Sequence, residues 1–298
     1  MRVVIAGGTG FLGRPLAAAL AADGHDVVVL SRSGSGRQQI AWQPDGEAGP
    51  WASAIDGAGA VVNLAGESLA ARRWTDAHKN RILESRVLAT RSLVEAIEKA
   101  AAAPPVFVSG SAVGYYGPRA DEPLSETAPA GRDFLARVCA AWESEANRAA
   151  SRTRVVCIRT GLVLERDGGA LPRMLPPFWF GLGGPVGSGR QYWPWIHRAD
   201  WIAMVRWAIG ETGVAGPLNA TAPAPETNRD FAKALGRALH RPAFAPAPAF
   251  ALRLLLGEMA DALLLSGQRA VPEKAQRLGF QFRYARLDDA LAAIFPRK

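Results

Sequence analysis

The chain is poor in the side chains that build disulfides, metal centres and proton relays. Its 298 residues hold only two cysteines, four histidines and four tyrosines. Cys139 and Cys157 offer no disulfide framework and no ligand spacing. His25, His78, His197 and His240 are scattered, with no pair at helical ligand spacing. The opening "MRVVIAGGTG" lacks the apolar core and cleavage site of a secretory signal. The longest apolar run, "FALRLLLGEMADALLL", is broken by Arg253, Glu258 and Asp261 and is too short to span a bilayer. The net charge of +8 comes from 35 basic residues spread along the chain, arginine well ahead of lysine. Without a basic tract or interleaved aromatics, that charge is not the footprint of a nucleic-acid binder. These absences predict a metal-free, soluble, cytoplasmic protein with no nucleic-acid or membrane partner, monomeric or homodimeric. The excess positive charge then favours anionic small molecules, phosphates above all.

What is present alternates regularly. "RVVIA", "DVVVLS", "AVVNLAG", "PVFVSG" and "RVVCIRTG" read as strands; helices are predicted over residues 11–22, 76–99 and 133–150 between them. The strands are continuous valine and isoleucine runs, which suits a sheet covered on both faces. Strand–helix alternation implies an α/β fold with a doubly wound parallel sheet. After Gly161 the pattern changes. "GGALPRMLPPFWFGLGGPVGSGRQYWPWIH" is rich in Gly, Pro and Trp and reads as surface segments around a cleft. Helices resume over residues 199–209 and 228–239, the latter capped by Thr227. "RPAFAPAPAF" reads as a hinge, dividing a Rossmann domain over 1–240, with substrate-side loops at 165–198, from a small C-terminal domain over 241–298. The closing apolar run reads as a core helix in preference to a dimer face.

The strongest motif is "VVIAGGTGFLG". Gly8, Gly10 and Gly13 give G-x-G-x-x-G directly after a strand and at the opening of a helix. There the backbone can approach a pyrophosphate lying on the helix N-terminus. The second strand then bears on which dinucleotide. An NAD enzyme places an acid about 20 residues on; this strand ends in Ser31 followed by Arg32. A guanidinium pairs with a 2′-phosphate where a carboxylate would repel it, so NADP(H) is favoured. Leu64, Ala65 and Gly66 end the next strand with room for backbone approach to the cofactor. Arg86 falls on the apolar stripe of the following helix, and a buried arginine needs an anion. An internal ion pair and a cofactor phosphate are both open.

"VFVSGSAVGYYGP" ends another strand and gathers Ser109, Ser111, Tyr115 and Tyr116. It lies at the carboxyl end of a central strand, where Rossmann sites form. Ser111 is placed to face the nicotinamide; Tyr115 or Tyr116 is a candidate proton donor, the alternative being that the pair packs its rings under the cleft with hydroxyls hydrogen-bonded. His197 in "PWIHRAD" titrates near neutrality but reads better as a domain brace, with Asp200 as a helix cap. The segment 180–195 suits a lid over the nicotinamide, with Arg173, Arg190 and Gln191 available to a polar substrate.

"GGTGFLG", "NLAG", "SGSAVGYYG", "RTGLVL" and "PWIHRAD" together resemble the extended short-chain dehydrogenase/reductase superfamily. More narrowly they are similar to its atypical "epimerase family" branch, a Rossmann domain of the NAD-dependent epimerase/dehydratase type followed by a C-terminal domain of unknown function. The resemblance implies an NADP(H) site. Its phosphate loop falls on Gly7, Gly8, Thr9, Gly10, Phe11, Leu12 and Gly13, and its 2′-phosphate contact on Ser31 and Arg32. Its adenosine-side backbone falls on Leu64 and Ala65, its strand-end serine on Ser111 and its post-strand segment on Arg159 to Val163, with Thr160, Gly161 and Leu162 as cofactor contacts; Gly66, Arg86 and Ser109 are added to the expected cofactor site from their own positions in the chain. One match fails. Most members carry Tyr-x-x-x-Lys on the helix after the serine strand, where lysine lowers the tyrosine pKa. Here Phe134 is followed four residues on by Val138, and Leu135 by Cys139. The atypical branch shows the same loss. The expectation is an NADP(H)-dependent oxidoreductase of a small carbonyl or alcohol substrate; a nucleotide-sugar epimerase or dehydratase and a non-catalytic NADPH sensor are the alternatives.

Overall fold

The structure is a computed structural model that describes residues 1–36 and 38–296. The apolar runs build a seven-stranded sheet. From one edge to the other its strands are Gly216–Ala220, Arg154–Thr160, Val106–Ala112, Ala60–Asn63, Arg2–Ala6, Asp26–Ser31 and Gln39–Ala41. Every pairing is parallel. Alternate residues serve opposite faces. Val3 and Ile5 pack with Leu16, Leu20, Trp201 and Met204 from helices Gly13–Ala22 and Arg198–Gly210. Val4 and Ala6 pack with Ala89, Leu93 and Ile97 of helix Asp76–Lys99 and with Ala146 of helix Phe134–Asn147. Both faces are covered, which is why the strands read as unbroken apolar runs.

The sheet runs outward in both directions from the first strand, through Asp26–Ser31 on one side and Ala60–Asn63 on the other. The carboxyl ends of Arg2–Ala6 and Ala60–Asn63 therefore flank a topological switch point, the ligand crevice of such sheets. The long helix starts where expected, with the Thr75 hydroxyl accepting from the His78 amide, and Thr227 caps helix Asn228–Leu239. No described helix is long and apolar enough to cross a membrane.

Three expectations are corrected beyond Gly161. The Gly/Pro/Trp-rich stretch is no mere surface run. Trp195–His197 pairs in parallel with Leu162–Leu164, Tyr192–Trp193 pairs with Glu226–Thr227, and Trp195 is fully buried. These strands join Leu171, Leu175, Phe231, Leu235 and Leu291 in a second core. The apolar run 250–265, read as a core helix, divides: helix Ala249–Leu256 has no fully buried residue, whereas Met259 and Ala260 beyond it are buried, Met259 beside Trp74, Ile82 and Val138. Finally, Asp200 does not cap the helix it opens. His197 does so, its Nδ1 accepting from the Ala199 amide at 3.0 Å. The Asp200 carboxylate is buried and accepts from the Arg283 and Tyr284 amides at 2.8 and 2.9 Å, tying the C-terminal segment to the sheet's covering helix.

Two backbone donors lose a buried, charged acceptor if that carboxylate is removed. Asp200→Ala is expected to cost about 2–4 kcal/mol in urea unfolding. Arg206→Ala, which breaks an exposed pair with Asp23, should cost about 1 kcal/mol or less. Equal losses would show that Asp200 is not the brace.

Candidate active site

The glycine loop leaves the first strand at the switch point. Gly7 adopts φ +78°, and a Cβ there would stand 2.7 Å from the Leu64 carbonyl carbon. A Cβ on Gly13 would stand 2.2 Å from the Gly7 oxygen. Both positions demand glycine, because the loop folds against both the neighbouring strand end and its own helix. Asn63, fully buried, shapes the opposite wall: its Oδ1 accepts from the Ala65 amide at 3.1 Å and its Nδ2 donates to Thr90 at 2.9 Å. Leu64, Ala65 and Gly66 thus face Gly7 across the crevice mouth. Gly8 lies against Val29, and the Phe11 ring lies against Gly168 and Gly169 under the Arg198 guanidinium.

Ser31 and Arg32 divide their work. The buried Ser31 hydroxyl donates to Gln39 at 3.0 Å and accepts from the Gly34 amide at 3.0 Å, so it shapes the turn. Arg32 is exposed and forms no ion pair among the described residues. Arg86 forms none either, which removes the internal ion pair as its explanation. Its guanidinium lies over Gly66, 5.3 Å from the Trp142 ring, with Nη1 donating to the Ile82 carbonyl at 2.9 Å. Burial pulls its pKa down, opposed by the nearby Glu67 carboxylate.

At the serine strand the hydroxyls part company. Ser109 is fully buried. Ser111 donates its proton to Glu143 Oε1 at 2.7 Å. A hydroxyl carries one proton, so in this geometry Ser111 offers the cleft lone pairs only. Glu143 is held by Arg159 through two bonds of 2.8 Å, both side chains buried. Arg159 also donates to the Tyr116 hydroxyl at 3.0 Å, and Tyr116 donates to Asn219 at 2.7 Å. Tyr116 is fully enclosed, and burial pushes its pKa up to about 12 against the opposing pull of Arg159. It is a structural tyrosine. Tyr115 is only partly buried, and the face of its ring lies 3.5 Å from the Arg159 guanidinium carbon. Of the pair, Tyr115 alone keeps a hydroxyl free of these bonds among the described residues.

The lost Tyr–Lys pair is visible in space. A Cβ on Gly114 would stand 3.3 Å from Leu135 and 4.0 Å from the Cys139 sulfur, so both residues pack directly beneath the Val113–Tyr116 turn. Burial pushes the Cys139 thiol up to about 12, leaving it neutral. Thr160 accepts from the Trp201 indole at 3.1 Å, while Gly161 and Leu162 run under the Pro194 carbonyl. His197 stacks on Tyr284 with centroids 4.1 Å apart, and burial lowers its pKa. It braces. Gln191 is spent on the Val186 and Leu264 carbonyls, Arg173 donates to the Ala70 carbonyl, and Arg190 is exposed. The lid expected over 180–195 is not one element: Trp193 and Trp195 are core, whereas Phe180 stands in solvent.

Sequence reading missed Glu143, Asn63 and Asn219, and saw Arg159 only as part of a motif. The signal was present for Arg159, a charge inside the apolar run "VVCIRT". Glu143 lies among ordinary helical charges and carried none.

Parallel sheet, glycine loop at the switch point and strand-end serine–tyrosine turn define a nucleotide-binding α/β protein of the short-chain dehydrogenase/reductase type. The chain belongs to the NAD dependent epimerase/dehydratase family, whose model matches residues 3–219; a domain of unknown function, DUF1731, matches residues 247–294. It is 42% identical over 302 residues to an Arabidopsis thaliana "Epimerase family protein SDR39U1 homolog, chloroplastic", covering 99% of this chain and 86% of the relative. It is similar to the crystal structure of human epimerase family protein SDR39U1 with NADPH, at TM-score 0.92 and 38% identity over 99% of each chain. A Corynebacterium glutamicum nucleoside-diphosphate sugar epimerase structure follows at TM-score 0.82 and 35% identity, covering 99% of this chain and 58% of that one.

The enclosed Tyr116 makes a spectroscopic prediction. With its pKa raised from 10.0 to about 12, the folded chain keeps a proton that the unfolded chain has lost. Its contribution to stability is complete below pH 10 and is lost as pH rises through about 12. Tyrosinate absorbance should show one tyrosine titrating last, and Tyr116→Phe should remove that step and flatten the alkaline loss of stability.

Proposed function

We propose that the chain binds NADPH and reduces a small carbonyl compound. The observation that carries the reading is the crevice itself: Gly7 pressed against Leu64 at the switch point, with Arg32 free at the end of the second strand. The pyrophosphate would lie on the Gly7–Gly13 loop at the N-terminus of helix Gly13–Ala22, and Arg32 would take the 2′-phosphate. Arg86, short of an anion and lying over Gly66, would serve the cofactor's ribose–phosphate side. The human relative solved with NADPH supports this cofactor. NADPH supplies the hydride when bound. The chain's own part would be to hold the carbonyl at the carboxyl end of strand Val106–Ala112, where Ser111 is already spent on Glu143, and to deliver a proton from the Tyr115 hydroxyl to the oxygen.

The second reading is NADPH binding without turnover, favoured by one observation: the helix under the serine–tyrosine turn sets Leu135 and Cys139 against Gly114 and carries neither tyrosine nor lysine. An epimerase or dehydratase is less favoured, because its first step removes a proton from an alcohol.

The readings separate in one assay. Protein with NADPH is screened against aldehydes, ketones and quinones while nicotinamide absorbance is followed. The reductase reading expects turnover, and Tyr115→Phe should lower it by about 10²–10⁴-fold without loss of folding. Tight NADPH binding with no turnover across the panel supports the sensor. Arg32→Ala should weaken NADPH by about 10–100-fold while leaving NADH nearly unchanged; equal losses would remove Arg32 from the 2′-phosphate.

A further inference from the structure

The described residues enclose a hollow apart from the cofactor crevice. It measures about 810 Å³ and opens between residues 118–121, 189–192 and 265–267, with Thr227 and Arg229 at its side. None of its lining residues belongs to the glycine loop, the Ser31–Arg32 corner or the strand end at Leu64. Its volume lies within the range of small-molecule sites, about 300–1,000 Å³. Two of its walls are tied together: they lead into strands Pro123–Leu124 and Arg269–Ala270, which pair in parallel, and the Arg119 amide donates to the Gly267 carbonyl at 3.1 Å. On the third wall Gly189 adopts φ +69°, and a Cβ there would stand 3.1 Å from that of Arg229, so glycine lets the two segments close up.

The lining is basic. It holds three arginines, Arg119, Arg190 and Arg229, against one acid, Asp121, an excess of two positive charges. Just outside it, Glu122 and Arg269 offset each other. Glu122 pairs with Arg119 at 3.3 Å. Arg269 lies 5.3 Å from the Tyr192 ring centroid and donates from Nη1 to the Asp121 carbonyl at 3.2 Å, with its Nε buried and unpartnered. Arg229 donates to the Ser188 carbonyl at 3.1 Å and has no acid partner among the described residues; the Arg190 side chain has no partner there at all. The other polar side chains are spent: Ser266 on the Asp261 carbonyl, Thr227 on Asp230, and Gln191 on the Val186 and Leu264 carbonyls. A ligand is left with guanidinium groups beside the apolar surfaces of Tyr192 and Leu265.

We propose that this hollow binds a small phosphorylated organic molecule, its phosphate on Arg190 and Arg229 and its body against Tyr192 and Leu265. Guanidinium forks match phosphate oxygens two at a time. A phosphate monoester carries about −1.5 to −2 at neutral pH, which meets the excess of the lining, whereas a single carboxylate leaves half of it unmatched. The site does not rest on the reductase reading, because it shares no residue with the crevice.

The test is isothermal titration calorimetry of the full chain, saturated with NADPH so that the glycine loop is occupied. The probe is phenyl phosphate, and benzoate presents the same ring on a carboxylate. Phenyl phosphate is expected to bind once per chain with a Kd on the order of 10–100 μM, and benzoate at least about tenfold more weakly. Arg190→Ala and Arg229→Ala should each weaken phenyl phosphate by about 10–100-fold, while NADPH affinity, read by nicotinamide fluorescence, stays unchanged. Arg237→Ala removes an exposed arginine outside the hollow, paired with Asp288, and should leave the affinity as it is. If Arg229→Ala does not fold, Arg190→Glu reads the same site, since the Arg190 side chain has no partner to lose. A chain that takes up no NADPH is titrated without it, and the same variants still assign the site. No binding at about 1 mM phenyl phosphate, equal affinity for benzoate, or equal losses from Arg190→Ala and Arg237→Ala each overturn the proposal.

Discussion

The arrangement around the cleft depends on one buried ion pair. Arg159 lies near the carboxyl end of strand Arg154–Thr160, second from the sheet edge, and Glu143 on helix Phe134–Asn147; both side chains are buried, with little water to offset their charge. Burying two such ions costs several kcal/mol each, and only close geometry with further hydrogen bonds offsets it. The pair meets that demand by recruiting its surroundings: Ser111 and two guanidinium nitrogens satisfy the carboxylate, while Tyr116 and the Glu126 carbonyl take the remaining guanidinium donor. The serine–tyrosine turn is therefore fixed by an electrostatic requirement of the core. Changing either charge would alter the fold and the site together.

That coupling explains the order in which the hydroxyls drop out. Each group drawn into the network loses freedom to meet a substrate. Ser111 gives up its proton to Glu143, and Tyr116 is closed in between Arg159 and Asn219. Tyr115 is held by its ring, through the guanidinium face, and not by its oxygen. A cation–π contact of this kind contributes about 0.5–2 kcal/mol, enough to orient the ring while leaving the hydroxyl unspent.

The sequence was legible where local pattern and final environment agree. Valine runs such as "RVVIA" are apolar on both sides because both sides are covered, and the glycine spacing around Gly7 and Gly13 follows from contacts under 3 Å that exclude a side chain. It was opaque where two- and three-residue strands form only through distant partners. Trp195–His197 exists because Leu162–Leu164 lies beside it, and no local periodicity announces that. The run 250–265 misled for the opposite reason: its apolar pattern is the same where it is buried, at Met259 and Ala260, and where it is not, along helix Ala249–Leu256. Asp200 shows a third kind of failure. An acid at the start of a helix has the composition of a cap, but its partners, the amides of Arg283 and Tyr284, lie more than eighty residues away.

The missing lysine bears on the direction of the proposed reaction. Oxidising an alcohol requires a base, so the family's tyrosine must be ionised near neutrality, and lowering its pKa from about 10 by some three units asks for about 4 kcal/mol. Arg159 meets the face of the Tyr115 ring, and its charge is already paired with Glu143. Reduction asks for less. A protonated phenol can donate to the oxygen as hydride arrives, because the developing alkoxide is far more basic than the phenolate left behind. The loss of lysine thus weighs against epimerisation, which begins by oxidising, and leaves carbonyl reduction chemically open. Around Cys139 the helix is apolar, with Leu135, Val138 and Trp142 on that side. Leu135 and Cys139 close the space behind the turn, and Tyr115 stands half-buried at its edge.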